Sequence, residues 1–203
     1  MSGRIRVHEL AGSRSGLVAL VGLVVALGAG PAHGKECAGV NVPDKAQVNG
    51  SSLTLNGLGL RQATMLRVKV YVAALYVPNT STDPEAILGS NAPKRLVLHF
   101  VRNVDAADLR KAWDEGFANN AKDQLPALKP RIETLKGWMA DMKSGEQMTF
   151  MHVPGTGVQV DVNGATRGTI KGDDFARAFY SIWLGAKPPN AELKAGLLGG
   201  TCG

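Results

Sequence analysis

From Leu66 to Val77 the chain reads LRVKVYVAALYV, with no glycine or proline before Pro78. β-Branched and aromatic enrichment over that length predicts a long strand. One alternate set, Val68, Val70, Val72, Ala74 and Tyr76, is apolar apart from a phenol. The other, Arg67, Lys69, Tyr71, Ala73 and Leu75, passes from polar to apolar. One face is thus expected to be buried along its length, and the other wet at one end and covered at the other. That is the pattern of a strand inside a sheet with a cleft over part of it. The preceding GLGLRQAT reads as a glycine-spaced turn and places Arg61 at the edge of that cleft.

The same reading along the chain predicts further elements. Residues 35–45 form a lead-in, Asn49-Gly50 a tight turn, and SLTLNG a short strand. A helical turn follows at Pro84–Gly89, then a strand over Lys94–Arg102 that is apolar on both faces. The period then changes. Asp105 is a candidate cap for a helix with a stripe of Leu109, Ala112, Trp113, Gly116 and Phe117. A second helix is expected over Arg131–Lys143, with Ile132, Leu135, Met139 and Met142 in register. EQMTFMHV and GVQVDV read as strands, and Asn163-Gly164 turns the second into ATRGTIK. Asp173 and Asp174 cap a helix with the stripe Phe175, Ala178, Phe179, Ile182 and Trp183, closed by Gly185. A last short helix spans 190–198. Strands, helices, strands, helices in that order predict an α+β fold, a mainly antiparallel sheet with helices gathered on one face.

The first 34 residues follow a different grammar. Arg4, Arg6 and Arg14 precede a short apolar run, Gly16 to Gly30, and PAHG supplies small residues. This is the pattern of a secretory signal peptide cleaved after Gly34, leaving a single domain over 35–203 in the periplasm or outside the cell. The run is short for a bilayer span of about 20 residues, so no stable membrane span is expected after cleavage. Loss of this segment takes three arginines and Glu9 from totals of 23 basic and 17 acidic residues, leaving 20 against 16. That mild, dispersed excess is not the stripe of a nucleic-acid binder. The two cysteines, Cys37 and Cys202, lie near opposite ends of the remaining chain. In an oxidising compartment they are expected to pair as a structural disulfide. A redox or metal role lacks a Cys-x-x-Cys spacing or a neighbouring histidine.

No phosphate-binding, dinucleotide-binding, zinc-protease or nucleophile-elbow motif is present, and no cofactor is expected. His99 and His152 fall in predicted strands. Two ligands without a nearby carboxylate do not make a metal site, so none is expected. Arg61 leaves two readings open: an exposed loop arginine, or an anion clamp whose guanidinium fork fits a carboxylate or enolate. Tyr71, on the mixed face of the long strand, is the candidate hydroxyl partner.

The segment GLGLRQAT…LRVKVYVAALYV, followed in order by KRLVLHFVRNV, AWDEGF, the Lys143–Glu146 turn and FARAFYSIWLG, resembles the chalcone isomerase family, above all its bacterial chalcone isomerase-like branch. The resemblance spans roughly Ala46 to Gly199. It implies an open-faced β-sandwich whose ligand cleft lies between a large sheet and its helices. In the plant enzymes of the family that cleft closes a chalcone into a flavanone, by intramolecular lyase chemistry; related members bind fatty acids through an arginine and a tyrosine. Arg61 matches the family arginine, and Tyr71 stands where the enzymes have a strand threonine. The tyrosine and asparagine of the enzymes have no counterpart around Val104–Lys111. Ile182 and Trp183 replace a hydroxyl residue and a methionine. Three readings follow: a binder holding a small acidic apolar ligand, such as a fatty acid or a phenolic, through Arg61 and Tyr71; an isomerase in which Arg61 is catalytic; or a structural periplasmic protein with a filled core.

Overall fold

The computed structural model describes residues 34–202. The expected signal peptide, apart from Gly34, lies outside the described residues. The hairpin β1 (Gly34–Cys37) and β2 (Val40–Pro43) leads into a seven-stranded antiparallel sheet in simple meander order, β3 to β9. Its strands are β3 (Lys45–Val48), β4 (Ser51–Ala63), β5 (Val68–Val77), β6 (Lys94–Phe100), β7 (Gln147–Val153), β8 (Gly157–Val162) and β9 (Ala165–Lys171). Helices α1 (Pro84–Gly89), α2 (Ala106–Asn120), α3 (Leu125–Gly137), α4 (Asp173–Leu184) and α5 (Ala191–Leu197) complete the described chain. The α+β reading holds.

Two cores flank the sheet. The larger joins one face, including Ala73, Leu75, Leu96, Leu98 and Phe150, to the inner sides of the helices. The smaller lies on the opposite face, where Val72, Ala74, Tyr76 and Val97 meet Cys37 and Val42 of the β1–β2 hairpin. Both apolar cores are thus closed by residues within 34–202. A disulfide joins Cys37 to Cys202 with their Cα atoms 5.9 Å apart.

Several expectations needed correction. GLGLRQA is no turn: it lies inside β4, which runs unbroken for 13 residues. The reason is a bulge. The register shifts between Leu55 and Gly57, so that Leu53 and Leu55 before it, and Leu58 and Leu60 after it, all reach the smaller core. The bulged Asn56 is buried, and its amide bonds the carbonyls of Ser81 and Leu197 at 3.0 and 2.7 Å. The glycines serve another purpose. A Cβ on Gly57 would fall on the Leu197 carbonyl at 2.8 Å, and one on Gly59 would meet the Leu193 side chain at 2.8 Å. Glycine at these positions lets α5 lie with its backbone against the strand.

The second helix is displaced toward the N-terminus: α3 starts at Leu125, with Pro126 in its first turn and Pro130 inside it. Met139 and Met142 are buried but follow the helix. Ala112 is exposed, so the α2 stripe reduces to Leu109, Trp113 and Phe117. The α4 cap is Gly172, with Asp173 and Asp174 in the first turn. The turns at Asn49-Gly50 and Asn163-Gly164 adopt positive φ at both residues, as read from the sequence.

Candidate functional site

Arg61 and Tyr71 are direct cross-strand partners in the β4–β5 pair. Directly opposed residues of an antiparallel pair share a face. Tyr71 packs against the larger core and stacks edge-on to Phe100, at 5.8 Å between ring centroids, so this is the helix-facing side. Both side chains are half-buried. The Arg61 guanidinium donates to the Gln62 carbonyl, and among the described residues it has no carboxylate within 4.0 Å.

Tyr71 is held from above. The indole N–H of Trp183, on α4, donates to its hydroxyl oxygen at 3.0 Å. The phenol's own proton finds no acceptor among the described residues. Burial pushes the Tyr71 hydroxyl above its ordinary range, against the opposing pull of the Trp183 hydrogen bond and the Arg61 charge. The group therefore remains a neutral hydrogen-bond donor at ordinary pH. Asn190, capping α5, accepts from the Gln62 N–H at 3.4 Å and donates to the Leu60 carbonyl at 3.3 Å. The seam of glycines and the Asn190 bonds fix α5 beside Arg61.

Deeper between sheet and helices, Trp113, Phe150, Phe179 and Trp183 pack on one another. Phe150 and Phe179 lie 4.7 Å apart, Phe179 and Trp183 5.2 Å, and Trp113 and Phe179 5.6 Å. The indole N–H of Trp113 is spent on Met139 Sδ at 3.0 Å. These aromatics form a closed interior, each 4% exposed or less.

A second polar group, whose members the sequence reading did not bring together, lies at the far end of the sheet. Lys94 and His152 face each other across β6 and β7. They line a cleft of about 330 Å³ with Ser90, Asp173, Arg177 and Tyr180. Lys94 is 4% exposed and donates to the carbonyls of Ser90 and Ala92. Burial pulls its ammonium down to about 8. His152 shares a hydrogen bond with Asp173 at 2.9 Å, which draws the Asp173 carboxyl below its usual range. Tyr180 is buried and donates toward the Lys94 and Phe150 carbonyls, both at 3.1 Å. These bonds tie the start of α4 and the loop after α1 to the sheet, which is a structural use. A lysine and a histidine on consecutive strands, separated by two helices, carry no pattern that would mark them in advance. His99 pairs with Gln147, not His152, so the two histidines do not converge. No group of three or more metal-ligating side chains occurs among the described residues. No helix among them is long and apolar enough to cross a membrane.

A curled seven-stranded antiparallel sheet, helices along one side and a cation opposite a phenol beneath them define an open-faced β-sandwich with its polar pair under the helix layer. The chain belongs to the chalcone isomerase-like family, whose model matches residues 34–199. The crystal structure of a fatty-acid binding protein from Arabidopsis thaliana has the same fold, with a TM-score of 0.61 at 17% identity, over 79% of this chain and 92% of that one. No curated protein sequence matches this chain.

Proposed function

We propose that this chain is exported to the periplasm or the cell exterior and there binds a small acidic apolar molecule of the fatty-acid class, with Arg61 and Tyr71 on the carboxylate. One observation carries the reading. Arg61 and Tyr71 are opposed on the helix-facing side of the sheet, and among the described residues the guanidinium lacks a carboxylate partner and the phenol keeps a proton to give. A carboxylate accepts from both donors at once, and such charge-assisted bonds are the stronger kind. The fatty-acid binding described for the Arabidopsis protein of the same fold supports this ligand class. The Cys37–Cys202 disulfide supports export, since such bonds persist in oxidising compartments.

The aromatic interior sets a condition. A hydrocarbon tail enters only if α2 and α4 part from the sheet and the Trp113–Phe179–Trp183 cluster opens. The same closed packing favours, as a second reading, a structural protein with no ligand. The isomerase alternative is supported less: beyond Arg61, ring closure requires hydroxyl and amide groups beside the reacting oxygen, and Tyr71 stands in place of the threonine.

Native mass spectrometry of the exported protein, beside Arg61→Ala, tests the proposal. A co-purifying fatty acid that the variant loses supports it. An empty wild type that takes up no added fatty acid favours the structural reading. Cyclisation of a chalcone faster than in buffer, abolished in Arg61→Ala, would instead establish the isomerase.

A further inference from the structure

Met65 and Leu66 are the exposed large hydrophobic residues among those described, at 101% and 86% of full exposure. They sit at the tip of the β4–β5 hairpin. The turn that presents them is held by its own bonds. The Arg67 N–H donates to the Thr64 carbonyl at 3.2 Å, and the Leu66 N–H to Thr64 Oγ1 at 3.3 Å. Thr64 and Arg67 both adopt positive φ, 63° and 51°, a conformation uncommon for residues with a side chain. Two other hairpin turns, Asn49-Gly50 and Asn163-Gly164, use Asn-Gly, the combination such geometry favours, and Ala38-Gly39 and the turn at Gly155 also place a glycine there. At this turn the chain instead displays two apolar side chains on a fixed loop.

The charge carried by the hairpin itself has one sign. Between Asp44 and Asp83 the sequence holds no acidic residue, while Arg61, Arg67 and Lys69 flank the tip. Glu192 approaches Arg67 at 3.9 Å, but both side chains are more than half exposed, and such a pair is weak and easily screened. Apolar residues projecting from a cationic rim match the boundary of an anionic bilayer: the apolar groups enter the acyl edge and the cations meet headgroup phosphates. A second copy of the chain is a poorer match. Stable interfaces bury about 800 Å² on each partner, far more than two side chains offer.

We propose that the β4–β5 hairpin tip docks this protein on an anionic lipid surface. At about 3.3 Å per residue, Arg61 lies roughly 10 Å from the turn. Docking therefore brings the Arg61–Tyr71 pair to the headgroup layer, where a fatty acid presents its carboxylate. That purpose rests on the ligand reading above, whereas the docking itself does not.

The test is co-sedimentation of residues 34–203, disulfide intact, with fatty-acid-free vesicles of phosphatidylglycerol and phosphatidylcholine. Wild type is expected to sediment with these vesicles and not with pure phosphatidylcholine. The double variant M65S/L66S should lose about tenfold or more in binding, and Lys69→Glu should weaken both binding and its salt dependence. Both variants change exposed side chains, and unchanged circular dichroism would verify their fold. Equal binding to both vesicle types, or M65S/L66S binding like wild type, overturns the proposal. A wild-type dimer in sedimentation velocity that M65S/L66S abolishes also overturns it, assigning the tip to a second copy. The ligand reading fails separately. A protein that binds vesicles yet takes up no fatty acid supports the docking tip and removes the carboxylate site. One that takes up fatty acid but ignores vesicles overturns the tip alone.

Discussion

Trp183 donates its indole N–H to the hydroxyl of Tyr71 at 3.0 Å, joining α4 to β5 through two aromatic side chains. Tyr71→Phe removes the acceptor and leaves the Trp183 N–H buried without a partner, a loss of about 1–3 kcal/mol. It also removes the proton available to a carboxylate. Urea unfolding should show the first effect. Fatty-acid titration should show a second, since Trp183→Phe spares the phenol proton and is expected to retain the ligand better than Tyr71→Phe.

Arg61 is a fork rather than a point charge in this reading. Arg61→Lys keeps the charge but loses the paired donors, so affinity for a fatty acid should fall between wild type and Arg61→Ala. In a double-mutant cycle with Tyr71→Phe, the two losses should not add, because both donors act on one carboxylate. Additive losses in calorimetric titration would separate the two residues.

Lys94 makes stability depend on alkaline pH. Its pKa falls from 10.5 unfolded to about 8 folded, because burial disfavours the ammonium. The unfolded chain therefore holds more protons between those values, and stability rises with pH across that window, by at most about 3 kcal/mol. Tyr76 acts in the opposite sense. Its hydroxyl is pushed up to about 12 by burial, so the unfolded phenol ionises first and stability falls above its ordinary value of 10.0. Denaturation midpoints should thus climb from pH 8 toward 10 and then turn down. Lys94→Met should flatten the climb.

Gly57→Ala forces a Cβ against the backbone of α5, at 2.8 Å from the Leu197 carbonyl. Relief requires moving the helix, at a cost of about 1–3 kcal/mol. Because Asn190 links α5 to Leu60 and Gln62, the movement should reach Arg61. Thermal melting is expected to fall, and fatty-acid affinity with it.

The disulfide closes a loop of 165 residues. In the chain-entropy account such a closure stabilises by about 5 kcal/mol. Cys37→Ser should lower the urea midpoint markedly, and added reductant should lower wild type to the same level while leaving the variant unchanged.

How much of this was legible beforehand follows from the physics of each signal. The α4 stripe of Phe175, Ala178, Phe179, Ile182 and Trp183 matched helical spacing, and all five are buried. The two Asn-Gly turns and the alternating β8 were equally plain, because local chemistry alone specifies them. β4 was misread since glycines usually punctuate strands, whereas here their reason is a helix that is distant in sequence. α3 was misplaced because its prolines argued against the turn they occupy. At the site, Tyr71 was named from the mixed face of β5 and Arg61 from the glycine-spaced segment before it, and their opposition follows from the hairpin register. The Trp183 bond to Tyr71 spans 112 positions of sequence, a separation at which no periodic pattern operates. Lys94 was hidden for a similar reason: its carbonyl partners are loop geometry, not residue type.

The bond between Cys37 and Cys202 leaves the described chain with almost no free ends. In topological terms residues 37–202 form a closed ring. A single proteolytic cut at an exposed turn such as Gly155 or Gly164 would open the ring without releasing a fragment, and both new ends would stay tethered to the sheet. Trimming from either terminus would halt at the cystine. Such a molecule survives its first nick.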